Sequence, residues 1–274
     1  MSNNPLKQYF RRPSIYIRLP SKGKYYDPGV LEMPENEEIP VYPMTAIDEV
    51  TSKTPDAVFN GQAVVDIIKS CVPSIKNPWK INSIDLDTIL IAIRVASTGD
   101  EMDILSTCPS CTTEGKYGIN LVQLLSEKQD INYDNTLKIR DLEIKFKPIT
   151  YTETNKNNMT QYEIQKALVM LNEYEDSEEK RKQTQDTIKK LNFIMSEAIG
   201  NTIEYIKTPE TSVTDMSFIR EFLDNCDRQT NNAIREYSIE LKNKNQLKPL
   251  RIKCSNCQHE YEQNLVLNIT DFFV

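Results

Sequence analysis

Residues 102–121 read MDILSTCPSCTTEGKYGINL, and residues 247–267 read LKPLRIKCSNCQHEYEQNLVL. Each stretch carries a Cys-x-x-Cys pair between two arms in which apolar residues alternate with polar ones. Such arms predict strands, so each stretch is predicted to form a β-hairpin with its cysteines at the turn. Two residues between the cysteines let one tight turn present both sulfurs to a single metal ion. Two facing hairpins of this kind form a zinc ribbon.

The paired cysteines supply four thiolates, which is the ligand set of a closed structural zinc site. We predict that one structural Zn²⁺ is bound by Cys108, Cys111, Cys254 and Cys257. There are 142 residues between Cys111 and Cys254, whereas ordinary ribbon spacing is about 15–20. The ribbon would therefore be split by a large insertion.

Disulfides and unmetallated thiols are the alternative interpretations of the same pairs. The first residues, MSNNPLKQYFRRP, lack the apolar core of a signal peptide. We therefore expect a reducing compartment, in which disulfides are rare. Neither pair stands at a strand-to-helix junction, where a thioredoxin-type redox motif would lie.

The remaining cysteines and the single histidine are not predicted to be metal ligands. Cys71 and Cys226 fall on apolar helical faces, where a free cysteine acts as a small hydrophobic residue. His259 lies two residues past Cys257, and we expect it beside the site or on the surface because four cysteines already complete the coordination shell. A saturated zinc does not activate water, so no catalytic residue is predicted.

The composition of the 274 residues argues against nucleic-acid-binding, nucleotide-binding and membrane-spanning proteins. Apolar residues make up 39% and charged residues 27%, and the net charge is −7. This acidity argues against broad nucleic-acid binding, which needs clustered Lys and Arg. The seven glycines include no G-x-G, so no nucleotide-binding loop is expected. No uncharged apolar run approaches the ~20 residues of a transmembrane helix. We expect neither a small-molecule substrate nor a membrane.

The predicted fold class is α+β, a small β/zinc-ribbon body with short helices and a large helical insertion. Residues 1–13 are predicted to be a flexible arm. Residues 14–150 form the α+β body with the first knuckle, 151–245 the helical insertion, and 246–274 the second knuckle.

Two predictions concern the apolar segment Ile84–Thr98. Apolar residues lie on nearly every side of Ile84–Thr98, which predicts a central buried helix. On that helix Asp87 and Arg94 share one stripe, which we interpret as a solvated edge or a local ion pair, with an interface stripe as the alternative.

The insertion is predicted to contain three helices, at about 154–174, 177–207 and 214–244, with Thr214 as the cap of the last. The apolar faces of these helices are candidate partner-binding surfaces. The residues predicted to bind a partner are Ile188, Leu191, Met195, Ile199, Phe218 and Phe222.

Several stretches resemble one known family in order along the chain. They are IYIRLPSKGKYY (15–26), IPVYPMTAIDE (39–49), residues 54–99 with NPWK and the apolar helix, CPSC, FKPITYTE (146–153), IREFLDNC (219–226) and KCSNCQHEYEQ (253–263), with a terminal aromatic pair. The chain resembles the baseplate hub proteins and hub assembly proteins of T-even-like contractile-tailed bacteriophages.

This resemblance implies a viral, non-enzymatic role in building the hub of the tail baseplate. The implied partners are other baseplate and tail hub proteins. The implied location is the host bacterial cytoplasm during assembly, or the tail baseplate of the virion. The alternative function is a zinc-ribbon nucleic-acid-binding protein of the transcription-factor type, which only the knuckles and a local basic patch support. That patch consists of Arg11, Arg12, Lys22 and Lys24.

Overall fold

The computed structural model of this chain describes residues 4–55, 60–127, 133–172, 178–265, 267 and 272–273. The chain divides into two compact units. Unit 1 comprises Met1–Asp130 and Gln246–Val274, and unit 2 comprises Ile131–Asn245. Helices and small antiparallel sheets occur in both units. The α+β prediction is therefore confirmed at the level of a mixed fold with small antiparallel sheets.

Unit 1 begins with a short pair of antiparallel strands, β1 (Ile15–Ile17) and β2 (Ile39–Val41). Its helices, in chain order, are α1 (Ala46–Ser52), α2 (Gln62–Cys71), α3 (Ser83–Thr98) and α4 (Leu121–Glu127). Single turns of 3-10 helix lie at Pro5–Tyr9 and Pro78–Lys80. Helix α1 begins at a capping box formed by Thr45 and Asp48.

Helix α3 lies in the core of unit 1, as predicted. Its almost fully buried apolar side chains are Ile84, Ile89, Leu90, Ile91, Ala92 and Ile93. Each buried isoleucine or leucine contributes about 1.5–3 kcal/mol relative to an exposed one. The helix is therefore a main source of stability for this unit.

Arg94 of α3 is buried, so the prediction of a solvated stripe is wrong for this residue. Its guanidinium donates a hydrogen bond to the backbone carbonyl of Phe272 and lies 5.6 Å from the centre of the Phe272 ring. The aromatic pair Phe272 and Phe273 is itself buried and covers this side of the helix. Asp87, the other member of the stripe, is half-buried.

The N-terminal segment, predicted as a flexible arm, is attached to unit 1 through Arg11. The Arg11 guanidinium donates hydrogen bonds to the carbonyls of Pro43 and Ser70 and forms an ion pair with Asp48 at 3.3 Å. This attachment joins the first residues to the start of α1 and the end of α2.

Two further hairpins in unit 1 carry the paired cysteines, as predicted. Strand β3 (Glu101–Thr107) pairs with β4 (Glu114–Asn120). Strand β9 (Leu250–Lys253) pairs with β10 (Glu260–Gln263).

In the part of unit 2 that the structure describes, a four-stranded antiparallel sheet is combined with four helices. The strands follow the order β5 (Thr136–Ile139), β6 (Leu142–Phe146), β7 (Ile203–Lys207) and β8 (Ser212–Val213). The helices are α5 (Tyr151–Asn172), α6 (Glu178–Asn201), α7 (Met216–Asn225) and α8 (Arg228–Asn245). Helix α6 packs against α5 and α7, and the Phe146 ring of β6 contacts Tyr237 of α8 at 5.0 Å.

The predicted second helix of the insertion is too long, because residues 203–207 form strand β7. Lys145 and Phe146 of β6 pair with Tyr205 and Ile203, so β7 has one extra residue, Glu204, at this point, and its buried residues are Ile203 and Ile206. Buried residues three positions apart imitate the period of a helix. The misassignment follows from this irregular pairing.

The predicted third helix is two helices, with a break at Cys226 and Asp227. Cys226 has extended backbone angles and ends α7. The Asp227 carboxylate accepts hydrogen bonds from the backbone N–H groups of Gln229 and Thr230, both at 3.1 Å, and so caps the start of α8. The predicted Thr214 cap is also wrong, since Asp215 caps α7.

Among the described residues, none of the helices is both long and apolar enough to cross a membrane.

Candidate metal centre

The two cysteine turns of unit 1 have the same backbone geometry. In the first, the Cys108 N–H donates to the Thr113 carbonyl at 3.0 Å, and the Thr112 N–H donates to the Cys108 carbonyl at 2.9 Å. In the second, the same bonds join Cys254 to His259 at 2.9 Å and Gln258 to Cys254 at 3.0 Å. Each turn therefore presents its two thiols from one rigid loop.

Each turn also holds one residue in the left-handed backbone region. Thr112 has a φ of 57° and Gln258 a φ of 60°, each four positions after the first cysteine of its pair. This conformation costs a non-glycine residue about 1–2 kcal/mol. Its occurrence at equivalent positions shows that the two turns share this conformation as well as their hydrogen bonds.

The structure brings the four predicted ligands together. All four sulfur atoms lie within 4.8 Å of one another. The Cys108 and Cys257 sulfurs are 3.7 Å apart, and those of Cys111 and Cys254 are 3.6 Å apart. A tetrahedron with metal–sulfur bonds of about 2.3 Å has edges of roughly 3.8 Å. The arrangement thus fits a tetrahedral thiolate site, whereas all four cysteines are free and no S–S bond joins them.

Hydrogen bonds favour the thiolate form at two of the ligands. Hydrogen bonds with the side chain and backbone of Thr113 lower the pKa of Cys111 to about 6. Backbone hydrogen bonds at Cys257 and Asn256 lower the pKa of Cys254. A metal ion binds the thiolate and not the thiol, so a lowered pKa at these two positions is compatible with metal binding.

The pKa of Cys257 moves in the other direction. A backbone hydrogen bond at His259 lowers it, but hydrogen bonds with the neighbouring thiols and partial burial together raise it to about 11. Four thiols held this close repel one another as thiolates. A bound cation would offset that repulsion and so stabilise the thiolate form of the four cysteines.

Polar side chains join the two hairpins around the cysteines. Asn256 donates to the Thr113 hydroxyl at 3.1 Å. On the strands, the Tyr261 hydroxyl donates to Ser106 and the Ser106 hydroxyl donates to Gln263, both at 2.9 Å. Sequence reasoning missed these residues. No local sequence signal identified them, because each contact joins one hairpin to the other.

The other cysteines and the histidine lie apart from the cluster. Cys71 is buried at the end of α2, where its thiol accepts a long hydrogen bond from Arg11, and burial raises its pKa to about 12. Cys226 is half-buried at the end of α7 and not within a helical face. The His259 side chain is exposed and stacks with Tyr261, at 6.3 Å between ring centres.

The predicted partner-binding residues all lie in unit 2. Phe218 is 61% exposed, whereas Ile199 and Phe222 are half-buried. Ile188, Leu191 and Met195 lie in α6, but their side chains are outside the described part of the structure. A groove of about 450 Å³ lies between α5 and α6, and Ile164, Phe193 and Ile194 form its apolar lining.

Comparison with known protein families gives a match over nearly the whole chain. The family model described as "T4 bacteriophage base plate protein" matches residues 16–274, which include both units and the four clustered cysteines. No curated protein and no solved structure matches the chain.

Proposed function

The chain belongs to the T4 bacteriophage base plate protein family, and from this premise we propose that it is a subunit or assembly factor of the baseplate hub. The match over residues 16–274 carries the proposal, because it supports a structural role in a phage tail for nearly the whole chain. The proposed role is non-enzymatic: the protein binds other tail proteins. It would act in the host cytoplasm during assembly, and as a hub subunit it would also be part of the virion baseplate.

We further propose that Cys108, Cys111, Cys254 and Cys257 hold one structural Zn²⁺. The sulfur separations of 3.6 and 3.7 Å and the lowered pKa values of Cys111 and Cys254 support this. A bound zinc supplies folding free energy by joining hairpins from the two segments of unit 1. Four thiolates leave no open coordination position, so the proposed role of the site is to hold structure.

The proposed partner surface lies on unit 2, where large apolar side chains are exposed. Phe193 and Phe218 are each 61% exposed, Val169 is 58% exposed and Tyr162 is 53% exposed. Three of these residues lie on α5 and α6, whose groove has an apolar lining. Exposed aromatic residues beside an apolar groove are typical of protein interaction sites.

Binding to the other hub proteins of the same phage tests this proposal. We expect the wild type to co-purify with at least one of them after co-expression, and Phe193→Asp and Phe218→Asp to lose that partner while keeping the fold. Tyr16→Ser, which changes an aromatic residue of β1 that is 60% exposed, is the control and should keep it. Loss of the partner in Tyr16→Ser alone would place the surface on unit 1 and overturn the assignment to unit 2.

The alternative, a nucleic-acid-binding zinc ribbon, has weaker support. Arg11, one of the four cations of its basic patch, is engaged with Asp48 and two backbone carbonyls. A DNA affinity that falls steeply with salt would favour this alternative over the hub role.

A further inference from the structure

Helix α1 has the opposite amphipathicity to that of a normal surface helix. Its buried residues are polar, Asp48 at 7% and Ser52 at 1% exposure. Its large apolar residues point outward, Ile47 at 78% and Val50 at 68% exposure. Because a surface helix normally buries its apolar stripe, this reversal requires a cause.

A buried polar network fixes the helix in this orientation. The Asp48 carboxylate accepts hydrogen bonds from Arg11 at 3.3 Å and from the Ser70 hydroxyl at 3.0 Å. Arg11 also donates to the Ser70 hydroxyl at 2.7 Å and the Ser70 carbonyl at 2.8 Å. Turning Ile47 and Val50 inward would break this network and leave a buried charge unpaired, which is costly. The two apolar side chains are therefore held in solvent.

The N-terminal segment carries further exposed apolar side chains. Arg11 donates a hydrogen bond to the Pro43 carbonyl and pairs with Asp48, which brings this segment near the start of α1. Tyr9 is 77% exposed, Leu6 is 61% exposed and Phe10 is 58% exposed. We call the group formed by Leu6, Tyr9, Phe10, Ile47 and Val50 the α1 surface. A cluster of this kind marks an interaction site.

The charges around the α1 surface indicate an acidic occupant. The first 26 residues contain six of the 33 basic residues of the chain and none of its 40 acidic residues. Of these six, Arg11 and Arg18 are paired with Asp48 and Glu38. Lys7 and Arg12 adjoin the apolar side chains in sequence, are both exposed, and outnumber the exposed Glu49 of α1. The rest of the chain contains 27 basic and 40 acidic residues, so another copy of the protein offers the complementary charge.

A complementary surface exists on the first cysteine hairpin of unit 1. Glu101, Asp103 and Leu105 alternate along β3 and so share its exposed face, and Leu105 is 69% exposed. On the same face, Thr107 of β3 lies opposite the exposed Glu114 of β4. Lys116 forms an ion pair with Asp103 at 2.8 Å, and Glu101 accepts a hydrogen bond from Asn120 at 2.9 Å. We call the group formed by Glu101, Asp103, Leu105 and Glu114 the hairpin surface.

We propose that the α1 surface of one copy of this chain docks on the hairpin surface of a second copy. The two surfaces differ, so the contact is heterologous and joins copies head to tail. Pairing of two α1 surfaces with each other would bring their basic segments together and is disfavoured. This inference rests on unit 1 alone and does not depend on the hub role.

Sedimentation velocity of the full chain over about a hundredfold dilution series measures this association. We expect oligomers whose fraction rises with concentration and falls when salt is raised, because the contact joins opposite charges. Ile47→Asp on the α1 surface and Leu105→Lys on the hairpin surface should each abolish the oligomers. Arg12→Glu, which leaves the apolar side chains in place, should weaken association about tenfold.

A mixture of the two defective variants gives the sharpest result. Ile47→Asp retains an intact hairpin surface and Leu105→Lys retains an intact α1 surface, so together they should form a 1:1 dimer that grows no further. Ile239→Asp, at a 53% exposed position of α8, is the control and should associate as the wild type does. Unchanged circular dichroism and metal content will show that the variants are folded.

Three results would overturn the proposal. They are a wild type that stays monomeric throughout the series, oligomers that survive Ile47→Asp or Leu105→Lys, and a mixture of the two variants that stays monomeric. In the first case a molecule other than a second copy, an acidic protein or a nucleic acid, is the occupant of the α1 surface.

Discussion

Arg94 joins the middle of unit 1 to the C-terminal aromatic pair. Burial lowers its pKa from the ordinary value, but a guanidinium remains charged at neutral pH. Its hydrogen bond to the Phe272 carbonyl and its position 5.6 Å from the Phe272 ring hold these aromatic residues in the core. One side chain thus connects residues 178 positions apart in sequence.

We expect Arg94→Met to lower the free energy of unfolding by about 1–3 kcal/mol, because the buried Phe272 carbonyl loses its charged donor. Arg94→Lys keeps a positive charge and a hydrogen-bond donor, so its free energy of unfolding should fall by less. Urea denaturation of the three proteins measures both differences. A methionine variant as stable as the wild type would mean that Arg94 does not hold the C-terminal pair.

Cys254→Ser should release the metal and lower the melting temperature by roughly 10 °C, since a structural zinc supplies several kcal/mol of folding free energy. Elemental analysis of the purified wild type should give one zinc per chain and of the variant none. A variant that keeps both its zinc and its melting temperature would contradict the shared site.

Cys71→Ala and Cys226→Ala are the matched controls, because both thiols lie outside the cluster. Each should cost on the order of 1 kcal/mol through lost packing and leave the zinc content unchanged. Zinc loss in either control would show that the ligands are wrongly assigned.

The four clustered cysteines could be predicted from sequence, because two residues between paired cysteines are what one tight turn needs to present both sulfurs to a metal ion. The residues around them were not. Asn256 meets Thr113 and Tyr261 meets Ser106 only after hairpins from distant parts of the chain come together. The contacts of Arg11 and Arg94 could not be predicted for the same reason, because the partners of both residues are distant in sequence.

Asp227 decides where one long helical segment becomes two. It accepts hydrogen bonds from the Gln229 and Thr230 backbone and from the Thr230 hydroxyl, and it forms an ion pair with Arg140 at 3.2 Å. The hydrogen bonds from Thr230 are the main cause of its lowered pKa, and the charge of Arg140 adds to them. The carboxylate form of Asp227 is therefore the form that stabilises the start of α8.

Asp227→Ala should speed amide exchange at the start of α8, because the first N–H groups of the helix lose their acceptor. Since the folded pKa is depressed, this stabilisation is present above the unfolded value of about 3.9 and is lost as the pH falls through the folded pKa. The stability difference between wild type and variant should therefore be constant near neutrality and shrink below about pH 4.

Urea titrations at several pH values give that difference. Glu236→Ala removes an exposed carboxylate from the same helix and should show neither effect. A difference between wild type and Asp227→Ala that grows on acidification would contradict the assigned role of the cap.

Helices and strands that are determined by their own sequence could be predicted. Those that depend on pairing with a distant segment could not. Helix α1 carries its capping box within its own sequence, and the cysteine hairpins carry their alternation. Strand β7 depends on β6, which lies more than 50 residues earlier, and the shifted register between them gives β7 a helix-like burial pattern. No local period distinguishes such a strand from the end of α6.

At the scale of the whole molecule, unit 1 contains the cysteine cluster and unit 2 does not. Unit 2 has its own sheet and helices within one continuous stretch of chain, whereas unit 1 needs both of its segments. We therefore expect the two units to respond differently to loss of metal.

A strong chelator should raise amide exchange in β3, β4, β9 and β10 while the sheet of unit 2 keeps its protection. Exchange measured by mass spectrometry with and without chelator tests this, and re-addition of zinc should restore the slow exchange. Equal loss of protection in both units would show that the metal stabilises the chain as a single cooperative body.

The division of unit 1 into two segments has a consequence for synthesis on the ribosome. A translating ribosome releases the first cysteine hairpin well before the second has been made. At about 5–20 residues per second, the roughly 130 residues from the end of the first segment to the second hairpin take about 7–26 s. Unit 2 emerges in that interval and is able to fold first. The nascent first hairpin must therefore keep its thiols reduced until its counterpart leaves the exit tunnel.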